Sequence, residues 1–145
     1  MEKMKRILCK ALTLLVAFTL LFTLVACNTV EKKGVWESAT HRRDMTLGDG
    51  AKTVTVEVVA EEEAVTFTVK TDKQTVGAAL LELGLIAGEE GPYGLYISAV
   101  NGMTADYGAD RSYWAFYING KYANTGVDGT PIDEGAVYRL AYERG

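Results

Sequence analysis

Four aspartates fall in two loops, Asp106 with Asp110 and Asp128 with Asp133. Paired carboxylates can share general acid and base work, as in glycosidases, when their separation suits the reaction. Nothing in the sequence sets that separation, so solvated loop acids are the simpler reading. Nucleophilic hydrolysis needs a base beside a Ser, Thr or Cys, and the single histidine, His41, sits in a polar, aperiodic stretch. Neither loop shows the alternating ligands and closing Glu of an EF-hand, and no glycine-rich phosphate loop precedes a helix. These residue types argue against an enzyme, a metal site or a bound cofactor. What the chain concentrates is aromatic surface. All eight tyrosines lie between Tyr93 and Tyr142, with Trp114 among them. Rings with a polar tip suit a flat amphipathic ligand or a protein surface, and they also suit a pleated sheet for its own sake. The candidate contact residues are Tyr93, Tyr107, Tyr113, Ala115 and Tyr117.

The element that must position them is the run Tyr113-Trp114-Ala115-Phe116-Tyr117-Ile118, followed at once by Asn119-Gly120. Asn and Gly both tolerate positive φ, which a two-residue type I′ turn requires, so Ile118 and Lys121 should face each other in a hairpin. Alternation then assigns Trp114, Phe116 and Ile118 to the core and Tyr113, Ala115 and Tyr117 to the exposed face. Trp114, Asn119 and Gly120 are expected to be structural. Upstream, Thr53 to Val59 alternates valine with polar residues, and Val65, Phe67 and Val69 repeat the pattern after the charged turn Ala60 to Glu63. These predict a first hairpin. Thr75 to Ile86 places Val76, Ala79, Leu80 and Leu83 on one helical face, with Thr75 as N-cap and Gly84 or Gly88 as the end. Leu95 to Val100 and Ala136 to Glu143 predict further strands, the first of them followed by a second Asn-Gly pair, Asn101-Gly102. Two strands, a helix and about four strands predict an α+β fold, a β-grasp-like mixed sheet with one crossing helix.

The N-terminus reads as a secretory leader. Lys3, Lys5, Arg6 and Lys10 precede an apolar run from Ala11 to Val25 that is short for a membrane span. The tetrad Leu24-Val25-Ala26-Cys27 resembles the lipobox of bacterial lipoproteins, in which the cysteine is acylated and becomes the first residue of the mature chain. The expected organisation is a signal peptide over 1–26, the lipidated Cys27 and a flexible tether over 27–52, and the folded domain over 53–145. Cys9 would leave with the leader, so the mature chain would hold no free thiol. From Cys27 onward there are 11 Lys and Arg against 18 Asp and Glu, a net of −7. Such a surface repels nucleic acid.

The series Thr75-Val76, Tyr96-Ile97 before Val100-Asn101-Gly102, Tyr113-Trp114, Tyr117-Ile118-Asn119-Gly120-Lys121, Gly126-Val127 and Asp133-Glu134-Gly135 before Tyr138 resembles the transcobalamin-like C-terminal domain of bacterial surface lipoproteins. The resemblance spans roughly Thr53 to Glu143. In transcobalamin and intrinsic factor a similar domain closes over the corrinoid while a large helical domain supplies the other wall. The resemblance therefore implies capture of a small ligand, with cobalamin or another corrinoid as the specific expectation, and a partner chain for the second wall. Together with the lipobox it implies a non-enzymatic lipoprotein on the extracytoplasmic face of a bacterial cell membrane, working with a transporter or a second surface lipoprotein. The alternative is a cell-surface protein-interaction module with no small-molecule ligand.

Overall fold

The computed structural model describes residues 1–5 and 34–145. Cys27, the expected lipidation site, and the expected leader beyond residue 5 lie outside the described residues. Among the described residues no helix is long and apolar enough to cross a membrane. Lys33 to Gly145 form one compact unit.

Residues 34–51, expected to belong to a flexible tether, are part of the folded unit. Val35–Ser38 forms a 3-10 turn. Its Trp36 is 6% exposed, and the indole Nε1 donates to the carbonyl of Ala60 at 2.8 Å. His41 is held by its main chain: its N–H donates to Asn101 Oδ1 at 2.9 Å, and its carbonyl accepts from Asn101 Nδ2 at 2.7 Å. The strand β1 (Met45–Leu47) then lies parallel to β3 (Glu63–Thr71), with Thr46 opposite Thr68. A polar, aperiodic sequence thus became ordered because one large ring is buried and the backbone found partners elsewhere in the fold.

The first hairpin forms as its alternation predicts. β2 (Lys52–Ala60) pairs antiparallel with β3, setting Val54 opposite Val69, Val56 opposite Phe67 and Val58 opposite Val65. All six are buried. The helix α1 (Val76–Glu82) starts where expected, with Thr75 Oγ1 accepting from the N–H of Ala78 at 3.3 Å. It runs seven residues and ends before Gly84, whose φ is +65°.

The single mixed sheet with one crossing helix is not what forms. After the glycine the chain becomes β4 (Ile86–Gly91), which pairs with β5 (Gly94–Val100), and β5 pairs with β6 (Met103–Thr104) across the Asn101-Gly102 turn. These make a separate three-stranded sheet. A second short helix, α2 (Tyr107–Asp110), leads into β7 (Ser112–Ile118), β8 (Lys121–Tyr122) and β9 (Val137–Arg144). The large sheet has the order β1-β3-β2-β9-β7-β8, with parallel pairing between β1 and β3 and between β2 and β9. The chain is therefore a mostly β, two-sheet domain and not a β-grasp. Glu89 and Glu90 are strand because their main chain pairs with Tyr96 and Leu95. The core gathers the inward side chains of β2, β3, β9 and β7 with Val76 and Leu80 of α1 and Leu85, Ile86, Val100 and Met103 from the smaller sheet.

Candidate functional site

The hairpin of β7 and β8 closes as expected. Asn119 and Gly120 have φ of 49° and 82°, and Ile118 faces Lys121. Asn119 also ties the turn to β9, since its side-chain oxygen accepts from the N–H of Val137 at 2.9 Å. Trp114 and Phe116 are each 8% exposed. The Trp114 indole donates to the carbonyl of Met103 at 3.2 Å and meets Tyr142 edge-on at 5.4 Å, while Phe116 stacks on Tyr138 at 6.0 Å. Trp114 thus joins the large sheet to the small one.

The opposite face of β7 differs from expectation at its centre. Tyr113 and Tyr117 both donate to the carboxylate of Glu143, at 3.0 and 2.6 Å. Glu143 is the cross-strand partner of Tyr113, so Tyr117 must lean back along the strand to reach it. Ala115 lies between the two phenols, opposite Ala141, and is 1% exposed. An alanine expected on an exposed strip is therefore covered by its neighbours and offers no surface. The hydrogen bonds to Glu143 raise the ionisation of both phenols above the usual tyrosine value, because a phenolate beside a carboxylate loses the bond and gains a repulsion.

The strip's edge opens into a groove. β8 covers β7 at Tyr117 and Ile118, and β6 covers β5 at Ala99 and Val100. Among the described residues no strand lies along the remaining edges, Ser112–Ala115 and Gly94–Ile97. Between them is a cleft of about 270 Å³, lined by Leu95 to Ile97, by Tyr113, Trp114 and Phe116, and by residues 122–127. A shallower depression of about 510 Å³ is lined by Tyr96, Tyr107, Tyr113, Tyr122 and Gly145. The two share Tyr96, Tyr113 and Tyr122, so they form one tyrosine-lined trough.

Of the residues singled out in the sequence, Tyr107 and Tyr113 meet there, edge-on at 6.4 Å, with the Arg111 guanidinium 4.8 Å over the Tyr107 ring. Tyr117 stands behind Tyr122, ring centres 5.4 Å apart, and lines neither depression. Tyr93 is at the tip of the β4–β5 hairpin, 99% exposed and outside the trough. Sequence reasoning missed Tyr96 and Tyr122, exposed by 52% and 63%. Tyr122 was available from the hairpin register, which puts it opposite Tyr117. The loop acids Asp106 and Asp110 have structural partners. Asp106 caps α2 by accepting from the N–H groups of Gly108 and Ala109. Asp110 is held below the usual carboxylate range by its hydrogen bond with Ser112, with the Arg144 guanidinium 3.2 Å away. Among the described residues no three His, Cys, Asp or Glu side chains gather as a metal site.

The arrangement of two packed sheets is shared with solved structures. Haptocorrin, solved in complex with Cbi, shares the fold with a TM-score of 0.54 and 18% identity, over 68% of this chain and 26% of that one. A structure from Ruminococcus gnavus, provisionally described as a metal binding protein, matches with a TM-score of 0.62 and 32% identity, over 66% of this chain and 99% of that one. Residues 73–144 match the family model DUF4430, a domain of unknown function, and the chain belongs to that family. No curated protein matches the chain.

Proposed function

We propose that this domain is a non-enzymatic capture module, held on the extracytoplasmic face of a bacterial membrane by acyl chains on Cys27, and that its trough takes a small, flat, amphipathic ligand. A corrinoid is the specific candidate, passed on to a transporter or a second surface lipoprotein. The observation that carries the reading is the meeting of Tyr96, Tyr113 and Tyr122 around one opening between two uncovered strand edges. The shallower depression, about 510 Å³, falls within the range of about 300–1,000 Å³ usual for small-molecule sites, and the adjoining cleft of about 270 Å³ lies just below it. The haptocorrin fold, solved with Cbi, supports the corrinoid as the first ligand to try. The trough is open on one side, which is the arrangement expected if a partner chain supplies the other wall.

The test is a titration of residues 33–145 with cobalamin and cobinamide, followed by tyrosine and tryptophan fluorescence. Saturable binding that Tyr96→Ala and Tyr122→Ala weaken supports the reading. No binding at high micromolar concentration, alone or with products of neighbouring genes, overturns the corrinoid and favours a protein-interaction module. The exposed rings of Tyr96, Tyr107 and Tyr122 beside open strand edges would serve that second reading equally.

A further inference from the structure

Of the three asparagines among the described residues, one combines exposure with an unhindered neighbour. Asn101 precedes Gly102 but is 1% exposed, and both ends of its side chain are in use: Oδ1 accepts from His41 N–H at 2.9 Å and Nδ2 donates to His41 O at 2.7 Å. Its main chain is tied as well, the N–H to Leu85 O at 2.7 Å and the carbonyl to Thr40 N–H at 2.8 Å. Asn124 is exposed but precedes Thr125, whose branched Cβ crowds its own backbone nitrogen. Asn119 is exposed and precedes Gly120, itself exposed, where an added Cβ would meet nothing within 4 Å. Asn119 Oδ1 accepts from Val137 N–H at 2.9 Å, and its amide nitrogen has no hydrogen-bond partner among the described residues. Little holds this turn shut. β8 is two residues long, lies at the outer end of the large sheet, and pairs only Lys121 with Ile118 and Tyr122 with Tyr117. Beyond them Ala123 N–H donates to Phe116 O at 2.9 Å.

We propose that Asn119 is a site of spontaneous deamidation and that one of its products unhooks β8. The backbone nitrogen of Gly120, having given its proton to water, attacks Cγ of Asn119. The Cγ–Nδ2 bond breaks, and the amide nitrogen leaves as ammonia with a proton from water. The succinimide so formed takes up one water. Opening at Cγ gives an aspartate; opening at the main-chain carbonyl carbon gives an isoaspartate. In the closed turn the Val137 N–H holds the side chain against β9, so the reaction follows transient opening of β8, an edge element of low local stability. An aspartate can still accept from Val137 and keep the turn. An isoaspartate routes the main chain through the side-chain carbon and lengthens it by one methylene, which a two-residue turn opposing Ile118 to Lys121 cannot absorb. Tyr122 then leaves its place opposite Tyr117, and both depressions lose a lining ring. Asn101 is spared, because freeing it would disturb the buried Val100 and Met103 on either side of its turn. None of this depends on what the trough binds.

The core is built from residues 36 to 142, so the fragment 33–145 contains all of it. The folded fragment is incubated in mildly alkaline buffer beside a sample in urea, and both are digested with trypsin at intervals. Cleavage after Lys73, Arg111, Lys121 and Arg139 puts the three asparagines on separate peptides, 74–111, 112–121 and 122–139, and mass spectrometry reads the amide-to-acid change in each. In the folded fragment 112–121 should convert at least about tenfold faster than either of the others, because reaction from an open state follows the population of that state. In urea the rates of 112–121 and 74–111 should come together, since both carry Asn-Gly. Labelling by isoaspartyl methyltransferase should rise with the conversion of 112–121. The aged fragment should show new NMR amide signals for residues 119–122 and Val137, with those of β2 and β3 unmoved. Equal rates for 112–121 and 74–111 in the folded fragment, or an unconverted 112–121 while the urea sample reacts, overturns the site. Conversion without methyltransferase labelling, or with β2 and β3 signals displaced, overturns the unhooking of β8.

Discussion

Trp36 decides whether the chain before β2 belongs to the domain. Replacing it with alanine removes a ring that is 6% exposed and packed in the core, and leaves the Ala60 carbonyl without its 2.8 Å donor. Truncating a buried Trp costs about 3–5 kcal/mol including the cavity left behind, and the lost hydrogen bond adds about 1 kcal/mol. Against a usual stability of about 5–15 kcal/mol, a loss of about 4 kcal/mol is a large fraction. At roughly 4 °C per kcal/mol for a domain near 100 residues, the melting temperature should fall by about 15 °C. Trp36→Phe keeps most of the burial and loses the donor, so it should cost about 1–2 kcal/mol. The assay is thermal unfolding of residues 33–145 by circular dichroism. If Trp36→Ala melts within about 2 °C of the parent, the segment is not docked in solution and residues 34–51 are a tether after all.

Gly77 tests a close approach. Its Cβ would stand 2.9 Å from both the Cα and the N of Asp128 and 3.1 Å from the Val127 carbonyl carbon, all backbone that a side-chain rotation cannot move. Gly77→Ala gains about 1 kcal/mol in helix propensity and loses about 1–3 kcal/mol to overpacking, so urea denaturation should show a lower midpoint; a higher midpoint refutes the contact. Glu143→Gln should return the Tyr113 and Tyr117 ionisations toward the ordinary value of 10.0, read by absorbance at 295 nm. The linked effect on stability has a definite sign. Both phenols titrate higher in the folded state, so their contribution is complete below the unfolded value and is lost as the pH rises through the raised folded values. The parent should therefore lose stability above about pH 10 more steeply than Glu143→Gln. Superimposable titrations would mean that the phenol–carboxylate bonds do not persist in solution.

Local signals carried a good part of the fold. The valine alternation of β2 and β3, the Thr75 cap and the Asn119-Gly120 turn each depend on φ, ψ or side-chain direction within a few residues, and all three formed as read. The tetrad ending at Cys27 that resembles a lipobox lies outside the described residues. Strand partnership is not local. Nothing in Leu95–Val100 says whether it joins β7 or turns back on Ile86–Gly91, because pairing energy comes from residues distant in the chain, and that choice split one expected sheet into two. The burial of Trp36 against Ala60 and of Ala115 beneath two phenols follows from the same non-local contacts. So does the trough, whose tyrosines come from β5, α2, β7 and β8. Composition declared an aromatic surface in the second half of the chain. Which rings share an opening became definite only when the two sheets packed, since packing settles which side chains cover one another.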